Sequence, residues 1–273
     1  MSKLLSFEEM EKISRLARKS VIEMIYSAGS GHPGGSLSII DILVVLYFGV
    51  MKIDPNNPQW EDRDRLVLSK GHGAAGYYAV LSEKGFFPKK DLTIFDSING
   101  NLQGHPCMNK TPGVDMSTGS LGQGLSVACG MAYGAKLKKK DIKIYSILGD
   151  GEIQEGQIWE AAMFAGNYKL NNLTAIIDYN KLQITGTVDE VMSIEPIGDK
   201  FKAFGWQIIN VDGHSYPQLL DVLNKNHNYP LVVIAHTIKG KGVSFMENQM
   251  IWHSAIIKKQ DYLQALQELD GRD

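Results

Sequence analysis

From Arg65 to Ala235 the chain repeats one pattern: a short apolar run, then a helix-length segment, then another apolar run. The strand-length runs are Leu66-Val67-Leu68, Ile142 to Leu148, Leu173 to Asp178, Trp206 to Val211 and Leu231 to Ala235. Between them, helices are predicted over Gly73 to Lys84 (closed by Gly85), Leu121 to Lys138, Ile158 to Tyr168, Ile197 to Phe204 and Tyr216 to Asn226. Apolar strands alternating with helices predict an α/β fold, a doubly wound parallel sheet with helices on both faces. Its crossovers are expected to be right-handed. Upstream, Ser6 and Glu9 form a candidate capping box. Behind it, Ile13, Leu16, Ala17, Val21, Met24 and Ile25 share one helical face that ends near Gly29-Ser30-Gly31. A second helix is predicted over Leu37 to Val50, a turn over Asp54 to Pro58, and a last helix over Lys258 to Leu269. There is no internal repeat and no dividing linker, so residues 1–273 read as one domain.

Bulk properties exclude several classes. The formal net charge is -2, which gives no electrostatic footprint for nucleic acid or an anionic membrane. Ile42 to Val50, read as the longest apolar stretch, is too short for a membrane span. Met1 to Met10 shows no basic-then-apolar signal pattern. The two cysteines, Cys107 and Cys129, lie in no zinc-ligand spacing, and a reducing, cytoplasmic setting is expected.

In open parallel sheets ligands bind beyond the carboxyl ends of the strands. The loops that matter are therefore those after Leu68, Leu148, Asp178, Val211 and Ala235. The second is Gly149-Asp150-Gly151-Glu152 and the third Tyr179-Asn180-Lys181-Leu182. If the two strands are neighbours, these loops offer the Asp150 carboxylate, the Asn180 amide oxygen and the backbone carbonyl of Leu182. Those are hard oxygen ligands for Mg2+, with Ca2+ or Mn2+ as alternatives. Gly151 lets the backbone approach a phosphate, and the helix beyond presents free amides. Gly-Asp-Gly alone also fits a plain strand-to-helix turn with Asp150 as N-cap; the Asn180 partner one strand later favours the metal.

The combination resembles the thiamine-diphosphate-binding signature, and the other motifs narrow the family. Ser30-Gly31-His32-Pro33-Gly34-Gly35, Leu68-Ser69-Lys70-Gly71-His72, Gly104-His105-Pro106, Gly119-Ser120-Leu121-Gly122-Gln123-Gly124 and Gly149 to Gly156 stand in the order found in transketolases. So do Lys239 to Asn248 and Trp252-His253. The chain therefore resembles the diphosphate-binding, N-terminal part of a transketolase, over nearly its whole length. The resemblance implies that His72, His253 and Lys239 reach the diphosphate of the cofactor, although an exposed lysine is the plain alternative for Lys239. It implies that His32, His105 and His253 line the substrate channel as acid–base groups, work suited to imidazole near neutral pH. Gly119 and Leu121 match positions that meet the aminopyrimidine; between them Ser120 stands in place of a proline common in the family, and Gly35 stands where some members have serine. Glu155 and Glu160 match a carboxylate network at a dimer interface, or are two solvated helix acids. The other histidines read as ordinary: His227 solvated, His214 a turn residue before a helix, and His236 structural at a strand end.

Transketolases of the usual kind carry a second domain that binds the pyrimidine ring and most of the sugar phosphate. The resemblance implies that this domain is a separate partner subunit. The expected assembly is a heterotetramer built on a homodimer of this chain, which transfers a two-carbon ketol unit between sugar phosphates as in the pentose phosphate pathway. Three alternatives remain: a 1-deoxyxylulose-5-phosphate synthase, part of a 2-oxoacid dehydrogenase, and a non-catalytic cofactor-binding subunit.

Overall fold

The computed structural model describes residues 5–98 and 100–271; Met1 to Leu4, the start of the segment read for a signal pattern, lie outside them. Five strands, β1 (Arg65–Leu68), β2 (Ile144–Gly149), β3 (Leu173–Tyr179), β4 (Gln207–Asp212) and β5 (Leu231–His236), form one sheet in the order β1-β2-β3-β5-β4. Every pairing is parallel. The helices are α1 (Phe7–Ala28), α2 (Pro33–Leu37), α3 (Ile40–Val45), α4 (Ala74–Lys84), α5 (Gln123–Leu137), α6 (Gly156–Asn167), α7 (Val188–Met192), α8 (Ile197–Ala203), α9 (Tyr216–Leu223) and α10 (Lys259–Asp270).

Alternation along the strands builds two cores. Leu66, Leu68, Tyr145, Ile147, Ile176, Leu231 and Val233 point to one face and pack with α1, α3, α4, α9 and α10. Val67, Ile144, Leu148, Ala175, Ile177, Val232 and Ile234 point to the other and pack with α5, α6 and α8. Apolar residues on both faces are what a sheet covered on both sides needs, so the doubly wound reading of the sequence holds. β4 differs: as the edge strand next to β5 it leaves most of its residues partly or fully exposed.

Local chemistry sets the ends. The Ser6 hydroxyl accepts the Glu9 amide and the Glu9 carboxylate accepts the Ser6 amide, a complete capping box. Gly29 and Gly85 close α1 and α4 in left-handed conformations. The helix expected over Leu37 to Val50 is different. It begins at Pro33, the favoured first helical position for proline. It then breaks before Ile40 and ends in a wider π-type turn over Leu46–Val50. By length and composition Pro33–Val50 would pass for a membrane span, longer than the Ile42 to Val50 read from the sequence, but 83% of it is buried inside the fold. The short helices Lys89–Ile94 and α7 were not anticipated; both are short turns in loop regions with little periodicity to read.

Close packing makes one prediction. A Cβ on Gly166, near the end of α6, would lie 1.7 Å from the Phe204 carbonyl oxygen, a backbone atom that cannot step aside cheaply. Gly166→Ala should destabilise the chain by about 1–3 kcal/mol, the usual cost of overpacking. Urea unfolding checks this; an unchanged midpoint would contradict the contact.

Candidate functional site

The pairing of β2 with β3 sets Gly149 beside Asp178, so the two loops leave the sheet side by side. The Asp150 carboxylate crosses between them, accepting the amides of Gly151 and Lys181. Asn180 Oδ1 accepts the Leu182 amide at 3.1 Å. Lys181 takes a left-handed conformation (φ 65°), which folds Asn180 and Leu182 back toward Asp150. The three oxygen sources expected from the sequence are therefore together, and Asp150 and Asn180 are 3% and 8% exposed.

These residues fit a divalent cation. They are hard oxygens, and the Asp150 carboxylate is pushed up to about 6 by burial and by Asp178, with two backbone amides as partial compensation. A bound cation would remove that strain by favouring the charged form. Among the described residues no cluster of three or more His, Cys, Asp or Glu offers a competing site. The Leu182 carbonyl accepts a hydrogen bond from Lys239 Nζ at 2.9 Å.

Lys239 is 2% exposed, which overturns the exposed alternative. Its ammonium also lies 3.0 Å from His253 Nδ1, and burial beside Lys70 lowers it to about 8. It faces a cavity of about 310 Å³ lined by His72, Leu121, Gly151, Glu155, Asn180, Leu182 and His253 among others. His72 and His253 line this cavity, and the rings of His32 and His105 cluster with them. His32 lies 5.5 Å from His72, 5.8 Å from His105 and 5.8 Å from His253, and His72 lies 5.1 Å from His253. Burial, with the neighbouring Lys70 and Lys239, holds His32, His72 and His253 below the ordinary imidazole range, His253 at about 3. All three are therefore uncharged near pH 7. Gly119 packs under His105 and against Gly71. Ser120 is exposed and stands apart from the cavity lining. Glu155 is the N-cap residue of α6 and lines the cavity, while Glu160 is exposed further along the same helix.

Two groups escaped the sequence reading. Lys70, 1% exposed, places its ammonium 2.5 Å from Asp178 and 3.0 Å from the Gly35 carbonyl. Asp178 also accepts from Ser38, Thr237 and Asn180. Glu152, 2% exposed, accepts from the Ser69 hydroxyl and from the amides of Gly122 and Gly149, fastening three site loops together. The available signal was a charged residue inside the otherwise apolar run Leu173 to Tyr179. His227 meets the Val222 carbonyl, and His236 meets Asn210 and packs edge-on against the Tyr179 ring. His214 departs from its reading as a plain turn residue: its ring is tied to Asp41 and to the Ile238 amide.

A parallel sheet whose loops gather hard oxygens, buried lysines and neutral imidazoles around one cavity defines an α/β protein with a polar ligand site at the carboxyl ends of its strands. Comparison with known proteins gives the family. Residues 10–272 match the transketolase, thiamine diphosphate binding domain, and the chain belongs to that family. It is 44% identical to the 6-deoxy-6-sulfo-D-fructose transketolase subunit SqwG of Clostridium sp. (strain MSTE9), with 96% of each chain covered. It is 42% identical to an apulose-4-phosphate transketolase subunit from Phocaeicola vulgatus, covering 97% of this chain and 95% of that one. The transketolase structure from Campylobacter jejuni superposes with a TM-score of 0.91 at 32% identity, covering 97% of this chain and 43% of that chain. The chain thus spans about two fifths of that solved transketolase and nearly all of the separate subunits.

The oxygen set predicts the effect of one substitution. Asp150→Ala should abolish magnesium-dependent binding of thiamine diphosphate while leaving the fold largely intact, since too few ligands remain to hold the ion. Unchanged cofactor affinity by calorimetry would show the site is elsewhere.

Proposed function

We propose that this chain is the diphosphate- and metal-binding subunit of a two-chain transketolase. The assembled enzyme moves a two-carbon ketol unit from a ketose phosphate to an aldose phosphate. The observation that carries the reading is a cavity lined by His72, His253, Asp150, Asn180, Leu182 and Lys239, with the rings of His32 and His105 clustered behind His72 and His253. Thiamine diphosphate, when bound, supplies the electron sink for carbon–carbon cleavage. Asp150, Asn180 and the Leu182 carbonyl would hold the divalent ion, Mg2+ first, with Ca2+ and Mn2+ acceptable to the same oxygens. Lys239, His72, His253 and the Gly151 loop would meet the diphosphate. Gly119, Leu121 and Glu155 would lie toward the aminopyrimidine; Ser120, outside the cavity lining, drops out of that set. His32, His105 and His253 would take and return protons at the sugar hydroxyls.

The partner we propose is a pyrimidine-binding subunit. This is supported by the relatives' names, which mark them as subunits, and by their near-equal length. One relative is named for a sulfonated fructose and two for apulose-4-phosphate. That variety on similar chains favours placing the choice of sugar in the partner, and a route other than the pentose phosphate pathway as the setting. The two cysteines are free in this structure, in keeping with the cytoplasmic setting we propose.

The surface supports assembly. On α6, Met163 is 56% and Phe164 37% exposed, with Tyr168 45% exposed just beyond. Phe164 and Tyr168 pack with Tyr133 of α5 into one aromatic cluster, at ring separations of 4.5–5.8 Å. Exposed apolar surface of this kind marks an interface, and a two-fold pairing closes it. Nearer the cavity, Ile184 is 69% and Leu121 37% exposed, at the rim the partner would cover.

Two outcomes follow. In the assembled enzyme His253→Ala should lower ketol transfer by about 10²- to 10⁴-fold, the range for an acid–base group, with His227→Ala nearly silent; equal losses would remove the distinction between them. The purified chain alone should be a dimer without ketol transfer and should form a heterotetramer with its partner. Light scattering and assay check this, and a monomer, or substantial activity without a second polypeptide, contradicts it.

A further inference from the structure

Asp41 of α3 lies outside the motif loops and is 3% exposed, yet it gathers charged and polar groups around itself. Arg18 of α1 donates to its Oδ2 at 2.6 Å, His214 Nδ1 lies 2.7 Å from the same oxygen, and the Tyr216 hydroxyl donates to Oδ1 at 3.0 Å. A buried cluster of this kind is costly, and apolar side chains would fill the space as stably. What it does beyond filling is visible at its far ends. His214 Nε2 accepts the Ile238 amide at 2.9 Å, and Arg18 Nε donates to the Lys241 carbonyl at 3.1 Å. Because an amide can only donate, Nε2 carries the lone pair, and Nδ1 keeps the proton that it gives to Asp41. One carboxylate thus grips the backbone on both sides of Lys239, through two side chains from different elements. The Gly240 amide on the Gly34 carbonyl and the Asn248 amide on the Lys239 carbonyl also hold this turn.

We propose that Asp41, His214 and Arg18 form a clamp that positions Lys239 for the cofactor diphosphate. This rests on the function proposed above only for the identity of that anion. The three are positioning residues: their expected effect on the site passes through the lysine.

The test uses the two-chain complex. His214→Leu removes both hydrogen bonds of the ring. His214→Gln keeps a donor for Asp41 and an acceptor for Ile238. By calorimetry, His214→Leu should weaken thiamine diphosphate binding by about 10-fold or more, as loss of an outer supporting group does in metal sites, and His214→Gln should restore most of it. In a Lys239→Ala background, His214→Leu should add little. Hydrogen exchange without cofactor should show the Ile238 amide losing protection at least 10-fold in His214→Leu and regaining it in His214→Gln. This reading stands apart from ketol transfer, so the clamp is judged even if the proposed activity proves wrong. Should His214→Leu fail to fold, Asp41→Asn replaces it, with the same loss expected. An equal further loss in the Lys239→Ala background, no rescue by glutamine, or unchanged Ile238 exchange would overturn the clamp.

Discussion

The buried carboxylate of Asp178 holds the site together. It sits near the carboxyl end of β3, in the middle of the sheet, with no exposed surface. Four side chains give it hydrogen bonds: Lys70 from beyond β1, Ser38 from beyond α2, Thr237 from beyond β5, and Asn180 from its own loop. A buried charge is tolerable only with such partners. Each partner is thereby drawn to the same point at the sheet's end. Asn180 is held with its oxygen turned away from Asp178, toward the amide of Leu182 and the Asp150 loop. Losing the lysine would leave an uncompensated carboxylate beneath the cofactor cavity; losing the carboxylate would free a lysine among the histidines.

The electrostatics of the cavity follow from this arrangement. Lys70 and Lys239 bring two ammonium groups into a space from which water is largely excluded, where charge interactions are strong. Burial first, and then these neighbouring lysines, hold His32, His72 and His253 below the usual imidazole range. In the function proposed above, the buried lysines would face the diphosphate and Asp150, pushed up by burial and by Asp178, would face the cation.

The sheet, its two covered faces and most helices were legible because their periods are local. Strands alternate every second residue, and helix ends carry capping serine or left-handed glycine at Ser6, Gly29 and Gly85. The nearness of the Asp150 loop to the Asn180 loop was legible because β2 and β3 are adjacent, which brings two short motifs together. The Lys70–Asp178 pair was not, since its members lie 108 residues apart and nothing local links a lysine in one loop to an acid inside another strand. His214 was missed for the same reason: Asp212-Gly213-His214 reads as a turn, and only the fold brings Asp41 and Ile238 to its two ring nitrogens. The break within Pro33–Val50 also escaped, because a continuous apolar run hides where backbone bonding changes.

Manganese in place of magnesium makes the ion directly visible. Crystals of the assembled complex grown with thiamine diphosphate and Mn2+ should give an anomalous peak in each copy of this chain, between the Asp150 carboxylate, Asn180 Oδ1 and the Leu182 carbonyl, with cofactor density beside Lys239. Cofactor bound with no peak at those three oxygens, or a peak held by other residues, would contradict the site.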